Sequence, residues 1–442
     1  MKKTVALLLV VLSVGLVIPI VSIASAASTT PPVLYVSPSG SDSTGNGSIT
    51  SPYATISNAA AHASSGSTVI VEPGTYTEMV IVTVKLTLIS QSSQPSSTIV
   101  DATGKPIAIA ILGSSAAGTV VEGLTAENAD NEGIYVQDSS SVTIENNFVN
   151  NNGLNIIKGL GEDKAVQLTG TSDSTVAGNS IVGNQYGGIG VTDDGPINPS
   201  FNSTAVPGAR IPTGSANPGN GNLISGNLVE HNRPNHCSIV VSSYNQGEGV
   251  KNNIVSNNVV VDNEAGIIVA ADTPNTSAVN NTVINNNILN NGEGGVVVHS
   301  NAPGDVVTGN AIIGNVISAN GPPTLLGIIV GGEGPVAVQS TTISGNTFQN
   351  EGVGIQIVNA KQTLVGGNIM EATVRLPVNG TVTPIAISTP TSGGGQTAST
   401  TTISQSGGGI TFSLALLVAI GTLIIGLVAG MTARPIREAK GR

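Results

Sequence analysis

Between about Val120 and Val358 the chain repeats, imperfectly, a short apolar strand followed by a turn marked with asparagine. The strands read GIYV (Gly133 to Val136), AVQL (Ala165 to Leu168), GIGV (Gly188 to Val191), SIVV (Ser238 to Val241), GIIV (Gly266 to Val269), GVVV (Gly295 to Val298), GIIV (Gly327 to Val330) and GIQI (Gly354 to Ile357). The turns carry Asn147, Asn179, Asn227, Asn258, Asn287, Asn315 and Asn346, each preceded by Gly or Asn. A second asparagine follows five residues later at Asn152, Asn184, Asn232, Asn263 and Asn320. Steps between turn asparagines are 32, 48, 31, 29, 28 and 31 residues. A near-fixed period of this length is the signature of a solenoid.

The chemistry of the unit explains why it coils. Val and Ile suit a short pleated strand. Gly and Asn sit where the chain must turn through positive φ. No 3.6-residue period runs through the repeat, and Gly or Asn recurs every few residues, so helix is disfavoured. A unit of about 30 residues cannot bury its own apolar side, whereas stacking on the next coil does. Equivalent asparagines on successive coils then lie ~4.8 Å apart, within reach of amide-to-amide hydrogen bonds. In each strand the first and third aliphatics point inward, because polar Gln167 and Gln356 take the middle position. The same middle column reads Val240, Ile268, Val297 and Ile329 on four adjacent coils, an outward aliphatic stripe expected to be covered by the Thr192 to Gly221 insertion, a partner or another copy, the insertion first because it needs no second molecule.

With these motifs the chain resembles the right-handed parallel β-helix proteins of the pectin-lyase-like superfamily, over roughly Val33 to Ala360. The resemblance implies an all-β solenoid of about ten coils. Val33 to Glu78 is similar to the opening of many extracellular members: LYVSPSGSDSTGNGS, SPYATISNAAAHA, then STVIVEPGTYTE. Ala54 to Ala63 has small apolar residues at helical spacing, an expected cap on the open end of the stack.

The flanks place this solenoid. Met1 to Ala27 reads as a secretory signal: Lys2 and Lys3, an apolar run, then Ala24-Ser25-Ala26. The β-helix domain is then 28–380, interrupted by the Pro- and Gly-rich stretch 192–221, which accounts for the 48-residue step. Residues 381–409 are Ser, Thr, Gly and Pro with almost no charge, a stalk. Ile410 to Ala433 is an uncharged apolar run long enough for a ~30 Å bilayer core. Arg434, Arg437, Lys440 and Arg442 follow, so 434–442 is expected to be a cytoplasmic tail. The expected location is the cell membrane, single-pass, with the β-helix outside.

Formal charge is −11; removing the N-terminal +2 and the tail's +3 leaves −11 − 2 − 3 = −16 for the middle. An acidic chain without Trp is not built to bind nucleic acid. Cys237 is the single cysteine, so no intrachain disulfide forms, and a buried apolar role is expected. Sequons at Asn46, Asn202, Asn275, Asn280 and Asn379 mark candidate glycosylation sites.

Aligned on the strands, successive coils offer Asp193-Asp194, Tyr244, Asp272, His299 and Glu333 just past the strand, a candidate acidic ridge beside the insertion. Such a ridge has two chemical uses. Paired carboxylates hydrolyse glycosidic bonds, or hold Ca²⁺ that binds an acidic glycan. Asp42, Asp194 and Asp272 are the candidate Ca²⁺ ligands, Asp42 in one loop with Asn46. Tyr186 and Tyr244 are the candidate sugar-stacking aromatics. The resemblance sharpens the choice. Pectate lyases of this fold pair clustered carboxylates with an Arg or Lys base, and polygalacturonases add Gly-His-Gly and Arg-Ile-Lys to paired Asp. Here Thr192-Asp193-Asp194-Gly195 stands without either companion motif. The sequence therefore points to non-catalytic binding of an extracellular glycan or cell-envelope component, adhesion or an envelope role, with self-association open. A polysaccharide lyase or glycoside hydrolase is the alternative.

Overall fold

The computed structural model describes residues 31–92, 94–154, 164–193, 217–232, 237–245, 248–321, 326–331 and 336–370, with backbone alone for 378–384. These residues wind into a parallel β-helix. One strand per coil makes an 11-stranded parallel sheet, so the stack has eleven rungs against the expected ten. The remaining strands form a continuous 26-stranded sheet that wraps the other sides. Its first wall contains Ile134–Gln137, Val166–Thr169, Ile189–Thr192, Cys237–Ser243, Ala265–Ala271, Val296–Ser300 and Leu326–Gly331, each in parallel register with the next. A second wall contains Thr143–Glu145, Thr175–Ala177, Leu223–Ser225, Ile254–Ser256, Thr282–Ile284, Ala311–Ile313 and Thr342–Ser344.

The corners explain the asparagines. Away from the first wall each coil is built of five-residue units. An asparagine points inward, the third residue enters the core, and the fifth kinks through positive φ. Asn222-Leu-Ile-Ser-Gly226, Asn227-Leu-Val-Glu-His231 and Asn232 show the rule, with φ of 66° at Gly226 and 53° at His231. Ile224 and Val229 are fully buried. Each inward amide is satisfied at both ends. The Asn227 main-chain N–H and Nδ2 both donate to Asn258 Oδ1, at 2.9 and 3.0 Å. Its Nδ2 also reaches the Val176 carbonyl at 2.9 Å, and its Oδ1 accepts from the N–H and Nδ2 of Asn179, both at 3.0 Å.

Three such ladders run up the stack. One joins Asn147, Asn179, Asn227, Asn258, Asn286, Asn315, Asn346 and Asn368. A second joins Asn152, Asn184, Asn232, Asn263, Asn291 and Asn320, and ends on Glu351. The third, Asn222, Asn253, Asn281 and Asn310, was not apparent from the sequence spacing. The expectation for Asn287 is corrected: Asn285 takes the kink at φ 56°, Asn286 enters the ladder, and Asn287 lies exposed on the strand. Three consecutive asparagines made the register ambiguous by one residue.

Inside, the first and third aliphatics of each strand fill one continuous core, as in Ile239, Val241, Ile267, Val269, Val296 and Val298. The glycine that opens many of these strands is required by close approach. A Cβ on Gly295 would meet the Gly327 carbonyl at 2.6 Å and the Ile317 side chain at 2.7 Å. The N-terminal end is covered by the helix Ile56–His62, which buries Ile56, Ala59 and Ala60 as its small-residue spacing implied. Thr55 caps it, and the Glu78 carboxylate accepts from the Ile56 and Ser57 N–H groups at 2.9 and 2.8 Å. No helix among the described residues is long and apolar enough to cross a membrane. The signal, the apolar run Ile410 to Ala433 and the basic tail lie outside those residues, as does the stalk after Pro384; its first four residues, 381–384, belong to the strand Val378–Pro384, which pairs with Val353–Gly366.

The aliphatic stripe is covered, as expected. Val240, Ile268, Val297 and Ile329 point outward and are only 4–8% exposed. They form a separate apolar layer with Cys237, Ala265, Ala270 and Leu326. The first wall is therefore buried on both faces, the arrangement that continuous Val/Ile runs suit. Gln167 also points outward and is fully buried.

The ladder assignment makes a one-residue prediction. Asn286→Ala removes the acceptor for Asn258 and the donors to Asn315 and Val255, and should cost about 2–4 kcal/mol in denaturant unfolding. Asn287→Ala, on the exposed strand, should stay within about 0.5 kcal/mol of the parent. Equal losses would show that the register is wrong.

Candidate functional site

The candidate ridge lies where the strands of the first wall end. Pairing places Thr192, Ser242, Ala270 and His299 side by side, and Ser243, Ala271 and Ser300 in the next column. Asp193 follows Thr192, so it falls beside Ser243, while Tyr244, Asp272 and Asn301 continue one residue further. Tyr244, Asp272 and Asn301 thus share a column, with Asp193 one residue and His299 two residues out of line with it. The mismatch arises because the residues follow their aligned tetrads at different distances, His299 by one residue, Asp193 by two, Tyr244 and Asp272 by three.

Asp193 is 2% exposed and bonded throughout. It accepts from Ser243 Oγ at 2.6 Å and from the N–H groups of Tyr244, Gly249 and Asn245 at 2.8, 3.0 and 3.3 Å. Burial pushes its carboxyl upward, against the pull of those four donors. Asp305, which sequence reasoning missed, does the same for the next turn but one. It accepts from the Ala302 N–H at 2.8 Å and from Ser300 Oγ at 3.3 Å, and burial raises it too.

Asp272 is placed differently. Ser242 Oγ donates to its Oδ2 at 2.5 Å, Asn301 Nδ2 donates to its Oδ1 at 2.9 Å, and His299 Nδ1 lies 3.6 Å from Oδ1. The side chains of His299 and Asp272 are 4% and 5% exposed. At 3.6 Å the contact is an ion-pair distance rather than a hydrogen bond, and His299 Nδ1 has no hydrogen-bond partner. A histidine held against a carboxylate is the arrangement that general acid–base chemistry uses. This pair is roofed over, so a polymer cannot reach it directly.

Among the described residues, the edge beside Asp272 presents neutral polar groups and one ring. Tyr244, Asn245, Thr273 and Asn301 are half-buried along it. Thr273 Oγ1 donates to the Tyr244 carbonyl at 2.5 Å. Ser242, Asn245 and Asn301 were missed because neither their spacing nor their type sets them apart from the repeat's many other Ser and Asn residues.

The other expected site residues disperse. Tyr186 precedes its strand whereas Tyr244 follows one, so in a parallel wall they occupy opposite edges. Tyr186 lies instead near Gly153. Asp194 and Glu333 lie outside the described residues. Asp42 takes up its carboxylate on the approach to the helix, accepting from the Ala54 and Thr55 N–H groups at 2.8 and 3.1 Å and from Thr55 Oγ1 at 2.7 Å. Despite burial, those bonds hold it below the usual carboxylate range. Asn46 accepts from the Ser48 N–H at 3.0 Å. Asp42 and Asp272 are thus far apart in the stack and share no ion. Of the sequons, Asn46, Asn275 and Asn280 are exposed. Asn202 lies outside the described residues, and only the backbone of Asn379 is described.

Residues 39–206 match the family model for right-handed β-helix regions. No curated protein matches the chain in sequence. Among solved structures, the A-module of Azotobacter vinelandii mannuronan C-5 epimerase AlgE4 is similar at 15% identity and a TM-score of 0.43, covering 72% of this chain and 91% of that one. Pectate lyase Pel9A is similar at 15% identity and a TM-score of 0.47, covering 75% and 78%. The Streptococcus pneumoniae surface protein and adhesin PfbA is similar at 14% identity and a TM-score of 0.42, covering 72% and 88%.

One titration near the opposite edge of the first wall has a definite sign. Burial, with the neighbouring Glu264 charge, pushes the Glu293 carboxyl up to about 7 from its ordinary 4.5. A raised carboxyl binds its proton more tightly in the fold than in the unfolded chain, so its contribution is full below pH 4.5 and is lost as pH rises through 7. The parent should therefore melt at a lower temperature at pH 8 than at pH 5.5. Glu293→Gln should narrow that gap by raising the melting temperature at pH 8. An unchanged gap would remove Glu293 from the account.

Proposed function

We propose that this chain is an exported, membrane-anchored β-helix that binds neutral extracellular polysaccharide along the Tyr244 edge without cleaving it. One observation carries the reading. Asp193, one of the catalytic candidates, is spent on four donors within the fold, while the described part of the edge offers an aromatic ring with amides and a hydroxyl. Rings and neutral hydrogen-bonding groups recognise pyranose faces and hydroxyls. The middle of the chain, at −11 − 2 − 3 = −16, repels uronate polymers at low salt. The secretory signal, the stalk and the apolar run Ile410 to Ala433 support export and anchoring on sequence grounds.

A second reading has its own support. The Asp272–His299 pair, with Nδ1 unpaired by hydrogen bonds, is poised for proton transfer in a lyase or hydrolase if the edge opens around a substrate.

The full chain in detergent micelles separates the two. Neutral and acidic hexasaccharides, with and without Ca²⁺, are offered at low salt. Saturable binding of a neutral hexasaccharide, weakened about tenfold by Tyr244→Ala and yielding no product, is the expected result. New reducing ends or unsaturated uronate absorbance, abolished by Asp272→Asn, would replace the binding reading with the enzymatic one.

A further inference from the structure

We infer that Asp193 is the positioning residue of the Tyr244 edge, a carboxylate clamp that sets where the ring stands. The inference rests on the glycan-binding reading for its functional consequence, though not for its geometry.

Asp193 ends one coil, and Tyr244 belongs to the next. Both carboxylate oxygens are used across that gap. Oδ1 takes the Tyr244 N–H at 2.8 Å. Oδ2 takes Ser243 Oγ at 2.6 Å, the Gly249 N–H at 3.0 Å and the Asn245 N–H at 3.3 Å. Asn245 Nδ2 returns to the Asp193 carbonyl at 2.9 Å. The following coil holds the other side: Thr273 Oγ1 donates to the Tyr244 carbonyl at 2.5 Å, and the Ser277 N–H reaches Ser243 Oγ at 3.4 Å. The peptide groups that flank the Tyr244 side chain are thus tied above and below.

Only an ionised carboxylate suits this position. It presents acceptors in every direction that the donors approach, and it is an acceptor alone. An amide of the same shape would turn one NH₂ group against donors and leave some of them unpaired. Because its oxygens face inward, Asp193 offers the ligand nothing. The clamp therefore turns no charge of its own toward the ligand. A pre-set ring also spares the ordering cost of binding.

The test uses the full chain in detergent with Asp193→Asn, Tyr244→Ala and the double variant. Amide hydrogen exchange is followed at Tyr244, Asn245 and Gly249, and at the ladder amides of Asn227 and Asn258. Affinity is measured for cellohexaose, mannohexaose and chitohexaose. Asp193→Asn should speed exchange at the three clamp amides by about 100-fold and leave the ladder amides unchanged. It should weaken hexasaccharide binding by about tenfold. The double variant should bind no more weakly than Tyr244→Ala alone, because the clamp acts through that ring. Unchanged exchange at the clamp amides overturns the inference. So does faster exchange that spreads to the ladder, which would make Asp193 a residue of the whole fold, and so do additive losses in the double variant. If the parent binds none of the three sugars, the glycan reading falls, and exchange alone decides whether the clamp exists.

Discussion

Everything in this molecule depends on an amide that donates and accepts at once. A narrow coil that turns every five residues brings its corners' backbone groups into the core, where an unpaired group is expensive. Asparagine settles both sides of that problem. Its Oδ1 takes two N–H groups from the coil before, and its Nδ2 gives to the next amide and to a buried carbonyl. Glutamine is one carbon too long for the same corner, and leucine would leave the corner unpaired. Each rung then templates the next, so stability comes from neighbours in sequence order rather than from a distant partner.

The ladder constrains corners and nothing between them. Asn179 and Asn227 are 48 residues apart, yet Nδ2 of one meets Oδ1 of the other at 3.0 Å. Asn286 and Asn315 are 29 apart and meet at 3.0 Å as well. The chain between two rungs is free to lengthen wherever it leaves the stack, and it does so at the end of the first wall. That is also where the regular pattern of Asn gives way to Asp193, Asp272 and Asp305. Function on such a scaffold belongs where the ladder stops dictating the sequence.

How much of this was legible follows from period and reach. Period two in the strands identified the inward Ile and Val positions, because alternation is local. The same period told which way Val240 and Ile268 point, and four outward aliphatics in a row implied a cover. The identity of that cover is not a local property of the strands. Asn287 was taken for Asn286 because the kink, the ladder and the strand all carry the same residue there, and only φ distinguishes them. Strand alignment brings the ridge residues toward one edge but does not give their bonding. Asp193 is closed on by residues 50 to 56 positions later. No local pattern announces that a carboxylate will meet converging N–H groups.

Asn and Asp differ here as two solutions to one problem. A regular corner needs a group that passes the bond along, so it takes an amide. An irregular turn gathers several donors at a point, so it takes a carboxylate. Glu351 shows the difference within a single ladder. It occupies the inward position where Asn152, Asn184, Asn232, Asn263, Asn291 and Asn320 stand on earlier coils. Its Oε1 accepts from the N–H and Nδ2 of Asn320, both at 3.0 Å. An ionised carboxylate has nothing to donate to a following rung. Its second oxygen is buried without a partner, and burial pushes its carboxyl above the ordinary range. The ladder therefore ends at Glu351 for a chemical reason, while the neighbouring ladder, with Asn346 in the equivalent place, continues to Asn368. The stack loses one of its ties at that rung, so the coil that follows Glu351 is joined to it by one inward ladder fewer than the coils between Asn152 and Asn320.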